Sequence, residues 1–378
     1  MSHTGVMRIL ILGAGGQFGQ RLCRRLAFIP NIALLLNGRS AEKLTALRDE
    51  LVHTNHNAKI EAVAFDVKRD FEASLQHHKP DLVVHLAGPF QNQDYNIAKA
   101  CIQFGVTYID IADGRDFVAN FSSLDQEAKT KNVTLITGTS TVPGLSSAVI
   151  DAGLDQLTQL ISIDYGISTG LKTGLGVATL EAVMNYCGKP YSTLRNGKDV
   201  VTYGLGRARY HDFPEPVGRR YLVDCDIPDH ALFPTTYPTL QSISFGACLD
   251  VPALVGFLSF LSYCVRIGLV RNWDCLTRTI KLFVDAIRFV GDYNSGFYMK
   301  LSGLDSQGKT KRLLFEMMAR EGSGLEIPVT PAMILIKRLL RGDAFAPGAY
   351  ACQHLISLAE FQQELATYPI SWNWRELS

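Results

Sequence analysis

The sequence has no CxxC pair and no HxxxH or HExxH. The first absence excludes a zinc ribbon and a thioredoxin-type dithiol. The second removes the helix-borne zinc sites, so no metal is expected. Charge of one sign is also missing: 37 Lys and Arg face 36 Asp and Glu, for a formal net charge of +1. Nothing in that balance calls for nucleic acid as a partner, and there is no acidic tail. No apolar run reaches the roughly 20 residues of a spanning helix. The uncharged stretch from Val251 to Val265 falls short of that and contains Pro252 and Gly256. With no export signal recognisable, the eight cysteines read as reduced thiols in a cytoplasmic protein.

What is present is apolar material for a large core. The 378 residues are 47% hydrophobic, which excludes a mainly disordered chain and suggests two or three domains. Over the first 150 residues short apolar runs alternate with longer amphipathic ones. Val6–Leu12, Ile32–Leu36, Ile60–Phe65, Leu82–Ala87, Thr107–Ile111 and Val133–Ile136 read as strands. Gln17–Ile29, Ala41–Leu51, Phe71–His78, Asn96–Phe104 and Phe117–Lys129 read as the helices between them. Strands apolar on both faces belong in a parallel sheet covered by helices, so the pattern predicts a Rossmann-type doubly wound α/β domain. After Ser146–Leu157 the rhythm changes. Ile161–Ile167 and Phe297–Leu301 read as strands. Ala178–Tyr186, Ala253–Leu269, Trp273–Phe289 and Arg312–Ala319 read as helices, which together make a second α+β domain. The expected divisions are a cofactor-binding domain over 1–155, a substrate and oligomerisation domain over 156–345, and a helical C-terminal segment over 346–378.

The first strand runs into Gly13-Ala14-Gly15-Gly16-Gln17-Phe18-Gly19. Gly13 permits the tight turn, Gly15 and Gly16 let the backbone approach a pyrophosphate, and Gly19 lets the helix pack on the strand. Gln17 and Phe18 open that helix, whose N-terminus supplies N–H donors for the phosphates. The second strand ends in Asn37-Gly38-Arg39-Ser40, where an NAD site carries a carboxylate for the ribose hydroxyls. A guanidinium at Arg39 with a hydroxyl at Ser40 suits a 2′-phosphate, which favours NADP(H) over NAD. Ser40 also suits a helix N-cap. Asp66 and Val67, after the third strand, are placed for the adenine, although Asp66 is equally suited to capping a helix. Ala87, Gly88 and Pro89, after the fourth, are placed for the ribose and nicotinamide.

Several segments resemble the saccharopine dehydrogenase-like family of NADP-binding proteins: "GAGGQFG", "NGRSAEKL", "FDV", "HLAGPFQNQDYNIAKACIQFGVTYIDIADGRDFV" and "STVPGLSSAVID". The resemblance extends weakly to the second half through "GLGVATLEAVM" and "IPVTPAMILIKRLLRGDAFAPGAYAC". It implies a Rossmann domain, an inserted α+β substrate domain, a C-terminal segment that packs back near the first domain, and an NADP-dependent oxidoreductase acting on a small molecule. Trans-acting enoyl reductases of lipid synthesis look similar around "GRS". The true saccharopine enzymes carry an acidic stretch before an Asp-Pro-Gly turn. Here the stretch is Thr139-Ser140-Thr141-Val142-Pro143-Gly144, without the acids. An amino-diacid substrate is therefore not implied, and the substrate stays open.

The candidates for chemistry are Asp113 and Arg115, beyond the fifth strand, and Tyr165, in the first strand of the second domain. Asp113 is equally suited to capping a helix. Tyr95 and Lys99 have the YxxxK spacing of short-chain dehydrogenases but follow the wrong strand for it, so Tyr95 reads as a pocket wall. Thr173, Gly174, Gly176 and Thr179 form a small-residue loop able to take an anionic group, with Glu181 in the helix after it. His211, Arg219, Arg220 and Tyr221 add titratable groups in an irregular region. A chain in which none of these acts would be a cofactor-bound scaffold or redox sensor. The Val251–Val265 run followed by Trp273–Phe289 predicts an apolar helical pair. Its outer face would be covered by the rest of the domain, a second copy of the chain or a lipid surface. A homodimer is the expected answer, because two-fold dimers are the commonest oligomers.

Overall fold

The computed structural model describes residues 5–174, 176–271, 273 and 277–378. In chain order it begins β1 (Met7–Leu12), α1 (Gln17–Leu26), β2 (Ile32–Asn37), α2 (Ala41–Thr54), β3 (Lys59–Ala62), α3 (Phe71–His78), β4 (Leu82–His85), α4 (Asn96–Phe104), β5 (Thr107–Asp110), α5 (Arg115–Ala119), α6 (Asp125–Thr130) and β6 (Thr134–Thr137). It continues through α7 (Ser146–Leu154), β7 (Gln159–Thr169), α8 (Val177–Tyr186), β8 (Pro190–Arg195), β9 (Lys198–Tyr203), β10 (Ala208–Asp212), β11 (Arg219–Asp224), α9 (Asp229–Thr236), β12 (Ser242–Leu249), α10 (Pro252–Arg266), α11 (Thr277–Ala286), β13 (Ser295–Leu304) and β14 (Thr310–Ala319). The remainder is α12 (Thr330–Arg341), β15 (Gly348–Ala351), α13 (Leu358–Glu364) and β16 (Ile370–Glu376).

The chain divides into two compact units. One comprises Met1–Leu145 with Glu326–Ile356, the other Ser146–Leu325 with Ser357–Ser378. The first holds a seven-stranded sheet in the order β15-β6-β5-β4-β1-β2-β3, every pair parallel. The side chains of β1, β2 and β4 are buried almost throughout, as a sheet covered on both faces requires. Helix α1 follows the same logic. Gly19, Leu22, Cys23 and Leu26 are buried at helical spacing, with Arg21, Arg24 and Arg25 between them. The strand order reverses between β1 and β4, which is where an open α/β sheet forms its ligand crevice.

The second unit holds a mixed sheet in the order β10-β11-β12-β7-β13-β14-β16, in which only β12 and β7 run parallel, together with the separate β8–β9 hairpin. The seven described cysteines are all buried and none is in a disulfide.

The expected boundaries differ from these in three places, and the first is that the opening stretch of the first unit ends at Leu145 and not at 155. Residues 326–345 group with the first unit, because α12 packs on α1 and on the Thr141–Leu145 turn. The stretch after 345, expected as a helical segment near the first domain, is divided between the units and is not only helical: β15 extends the first sheet, while 357–378 belong to the second unit, where β16 closes the sheet edge. Arg312–Ala319, expected as a helix, is strand β14. Its Leu, Phe and Met side chains suit a helix intrinsically, but pairing with β13 and β16 buries them on both faces, and tertiary context wins. The single helix expected over Phe117–Lys129 is broken by a 3-10 turn at Phe121–Leu124. The Trp273–Phe289 helix is observed as α11 and a 3-10 turn at Arg288–Val290, and 274–276 lie outside the described residues.

Candidate functional site: a glycine turn at the strand-order switch

The turn after β1 is built from contacts that admit no side chain at some positions and leave others open. Gly13 has a positive φ of 82°, and a Cβ there would lie 2.9 Å from the Ala87 nitrogen. Gly13 and Ala14 donate their N–H groups to the Asn37 carbonyl at 3.0 and 2.9 Å, which ties the turn to the end of β2. A Cβ at Gly19 would meet the Ala14 Cα at 2.7 Å, so only glycine lets α1 sit this close. A Cβ at Gly15 would meet nothing within 4 Å. Gly15 is therefore not demanded by the protein's own packing; its bare backbone faces free space. The helix that follows is capped by Gly16 without a side-chain bond and has no acid in its first turn. An uncapped N-terminus of this kind, with Gln17 and Phe18 leading it, favours an anion.

Asn37 is buried. Its Nδ2 donates to the carbonyls of Val63 and Phe65 at 2.9 and 3.2 Å, which leaves no carboxylate at the end of β2. Arg39 is exposed, and Ser40 is the N-cap of α2, accepting from the Lys43 N–H at 3.3 Å. Asp66 does not cap α3, whose N-cap is Asp70. Its Oδ1 accepts from the Lys68 N–H at 2.9 Å in a turn of its own, with Val67 next to it. Ala87, Gly88 and Pro89 are half-buried beside the glycine turn. The Gln93 amide holds the loop by donating to the carbonyls of Ala87 and Pro89, each at 2.8 Å.

At the end of β5, Asp110 ties two strand ends together. Its Oδ1 accepts from the Ala112 N–H, the Thr137 hydroxyl and the Gly138 N–H, each at 2.9 Å. Burial outweighs these donors and pushes the carboxyl up to about 6. Asp113 is half-buried and accepts from the Gln91 amide at 3.1 Å, and burial raises its carboxyl too. The N-cap of α5 is Gly114, not Asp113, so the capping role is not what fixes Asp113. A Cβ on Gly114 would come within 3.1 Å of Phe90, which shows how closely the β4 and β5 loops approach. Arg115 is the first residue of α5 and half-buried. Gln91, Gln93 and Gly114 were not anticipated from the sequence. Two glutamines after a Gly-Pro turn carry no periodic signal.

Other expected residues have structural employment. The Tyr95 hydroxyl donates to the Phe117 carbonyl at 2.8 Å while Lys99 stands exposed, so the YxxxK pair does not form a proton relay. Tyr165 belongs to the second unit. It is fully buried and donates to Asp229 Oδ2 at 2.5 Å, which leaves no part of its ring open to a substrate. In that unit the Thr173 hydroxyl donates to the Gly170 carbonyl, and Gly176 is the N-cap of α8, five residues before Glu181. His211 is buried against Glu316, and Arg219 and Arg220 are paired with Asp212 and Asp292. Tyr221 is exposed on β11.

Known proteins share both levels of this description. Residues 9–136 match the family model of the saccharopine dehydrogenase NADP binding domain. No curated protein matches the chain in sequence. Among solved structures, apo saccharopine dehydrogenase (L-Glu forming) from Saccharomyces cerevisiae matches over 98% of this chain and 100% of its own. Its TM-score is 0.65 at 14% identity. Amine dehydrogenase from Mycobacterium smegmatis matches over 92% and 95%, with a TM-score of 0.50 at 10% identity. The first unit thus contains a domain of the saccharopine dehydrogenase NADP-binding type. At these identities the two solved structures establish the shared fold and no more.

Proposed function

We propose that the protein is an NADP(H)-dependent oxidoreductase acting on a small molecule. The observation that carries this reading is the turn after β1, where Gly15 faces open space at an uncapped helix N-terminus. The residues present fit a dinucleotide. Gly13 to Gly16 receive the pyrophosphate, with Gln17, Phe18 and Gly19 at the helix start. Arg39 and Ser40 take the 2′-phosphate, and the absence of a carboxylate at Asn37 removes what would repel it. Asp66 and Val67 face the adenine, and Ala87, Gly88 and Pro89 lie toward the nicotinamide. When bound, the cofactor supplies or accepts a hydride.

Asp113, held by Gln91 and raised by burial, is the group on this side of the sheet suited to keep or release a proton. Arg115 suits a polar or anionic substrate group. A second reading, a cofactor-binding protein without turnover, draws on one observation: Tyr95, Tyr165 and His211 are all engaged in internal bonds. Oxidation of NADPH monitored with panels of carbonyl, imine and enoyl compounds separates the two. Turnover that Asp113→Asn lowers at least tenfold, with cofactor affinity unchanged, supports the enzyme. Saturable cofactor binding with no turnover on any of the three classes supports the scaffold.

A further inference from the structure

Ten of the sixteen large apolar side chains that the described surface exposes lie between Phe257 and Tyr293, so exposed apolar surface is concentrated in one segment of the second unit. On α10 the exposed residues Phe257, Phe260 and Tyr263, with Ile267 at its C-cap, are spaced three or four apart and make one stripe. The opposite stripe, with Leu254, Val255, Leu261 and Cys264, is buried, and the helix lies on β11 and β12. On α11, Ile280 and Val284 are buried while Leu282 and Phe283 are exposed, at 70% and 50%. The Phe257 and Phe283 rings meet at 6.1 Å between centroids, which joins the two stripes. Phe289 continues the apolar surface at 76% exposure. A patch of this kind needs an occupant.

Charge decides which one. Arg266, Arg271, Arg278 and Arg288 lie in the same segment, and none has a carboxylate partner among the described residues. The described acids there are already neutralised: Asp285 by Lys281 and Asp292 by Arg220. A two-fold dimer through this face would set these four guanidiniums, none neutralised by a described carboxylate, against their own copies. An anionic lipid surface neutralises them and accepts the aromatic and aliphatic side chains between them. Spanning is ruled out for these helices by length, since none among the described residues is long and apolar enough to cross a bilayer.

We infer that the outer face of α10 and α11 docks in the plane of a membrane surface carrying anionic lipid. The test uses the full chain in detergent-free buffer, with vesicles of phosphatidylcholine alone and of phosphatidylcholine mixed with phosphatidylglycerol. The expected result is co-sedimentation at least tenfold stronger with the mixed vesicles and weakening as salt is raised. Phe260→Asp with Leu282→Asp should lower it at least tenfold. Arg271→Ala with Arg278→Ala should lower it roughly twenty- to thirtyfold, at about 1 kcal/mol for each charge near the surface. All four positions are exposed, and an unchanged unfolding temperature verifies the fold of each variant. Three results would overturn the inference: no binding to either vesicle, equal binding to both, or a lipid-free dimer that Phe260→Asp with Leu282→Asp dissociates.

Discussion

Gly15 and Gly19 lie four residues apart in one turn, yet different neighbours constrain them. Gly19 is fixed by the protein, since a Cβ would press on the Ala14 Cα at 2.7 Å. Gly19→Ala should therefore destabilise the fold by about 1–3 kcal/mol through overpacking. Gly15 has open space where its side chain would be. Gly15→Val should leave thermal stability within about 0.5 kcal/mol of wild type while cofactor affinity collapses. A calorimeter and a melting curve on the two variants check both halves. A second residue-scale consequence concerns Asp229, which burial pushes from 3.8 up to about 7. Its Oδ2 accepts from the Ser146 and Tyr165 hydroxyls, and its Oδ1 has no partner among the described residues. The folded chain holds this proton where the unfolded chain has released it. Stability is therefore lost as pH rises from the ordinary carboxylate range to about 7. Asp229→Asn keeps an acceptor and carries no charge. Its stability relative to wild type should increase by roughly 2–4 kcal/mol between about pH 4 and pH 8. Denaturant unfolding at the two pH values measures this, and a constant difference would contradict it. The glycines, Arg39 and Ser40 were legible in sequence because spacing after a strand determines their place. Asp229 was not legible, because its role is set by Ser146 and Tyr165, 83 and 64 residues away.

At the scale of elements, β14 and β16 show where sequence pattern runs out. The β13–β14 hairpin had a readable turn. Asp305 Oδ1 accepts from the Gln307 and Lys309 N–H groups, and Gly308 sits at a φ of +75°. The run after it, rich in Leu and Met, nevertheless has the composition of a helix, and only the partners on either side make it a strand. The parallel strands of the first unit were readable because both faces are buried, which produces continuous apolar runs. β16 was missed for the opposite reason: it is a half-exposed edge strand with no continuous apolar run, Ile370, Trp372 and Trp374 alternating with Ser371, Asn373 and Arg375. Its contribution is to cover Phe315 with Trp372 and Trp374, at 6.1 and 5.0 Å between centroids, and to pair with β14 from Leu313 to Ala319. A chain ending after Ile356 would expose that edge and the ring beneath it. It should aggregate in light scattering at concentrations where the full chain does not. Equal solubility of the two would count against β16 as the element that closes the sheet.

For the molecule as a whole, the proposed cofactor site and the inferred docking face belong to different units. The first contains the all-parallel sheet, the switch between β1 and β4, and the open glycine turn. The second contains a mixed sheet with a buried polar cluster and the exposed apolar helices. In the proposed function, Arg39 is the residue through which cofactor choice is read. One charge-assisted contact to the 2′-phosphate is worth about 1.5–3 kcal/mol, so Arg39→Ala should cost roughly ten- to a hundredfold in NADPH affinity and leave NADH binding nearly unchanged. The central claim is that the first unit binds NADP(H), and it is tested most directly by calorimetric titration of the full chain with NADPH and, separately, with NADH. The account predicts one saturable site per chain that binds NADPH more tightly than NADH. Absence of saturable binding, or equal affinity for both cofactors, would contradict it.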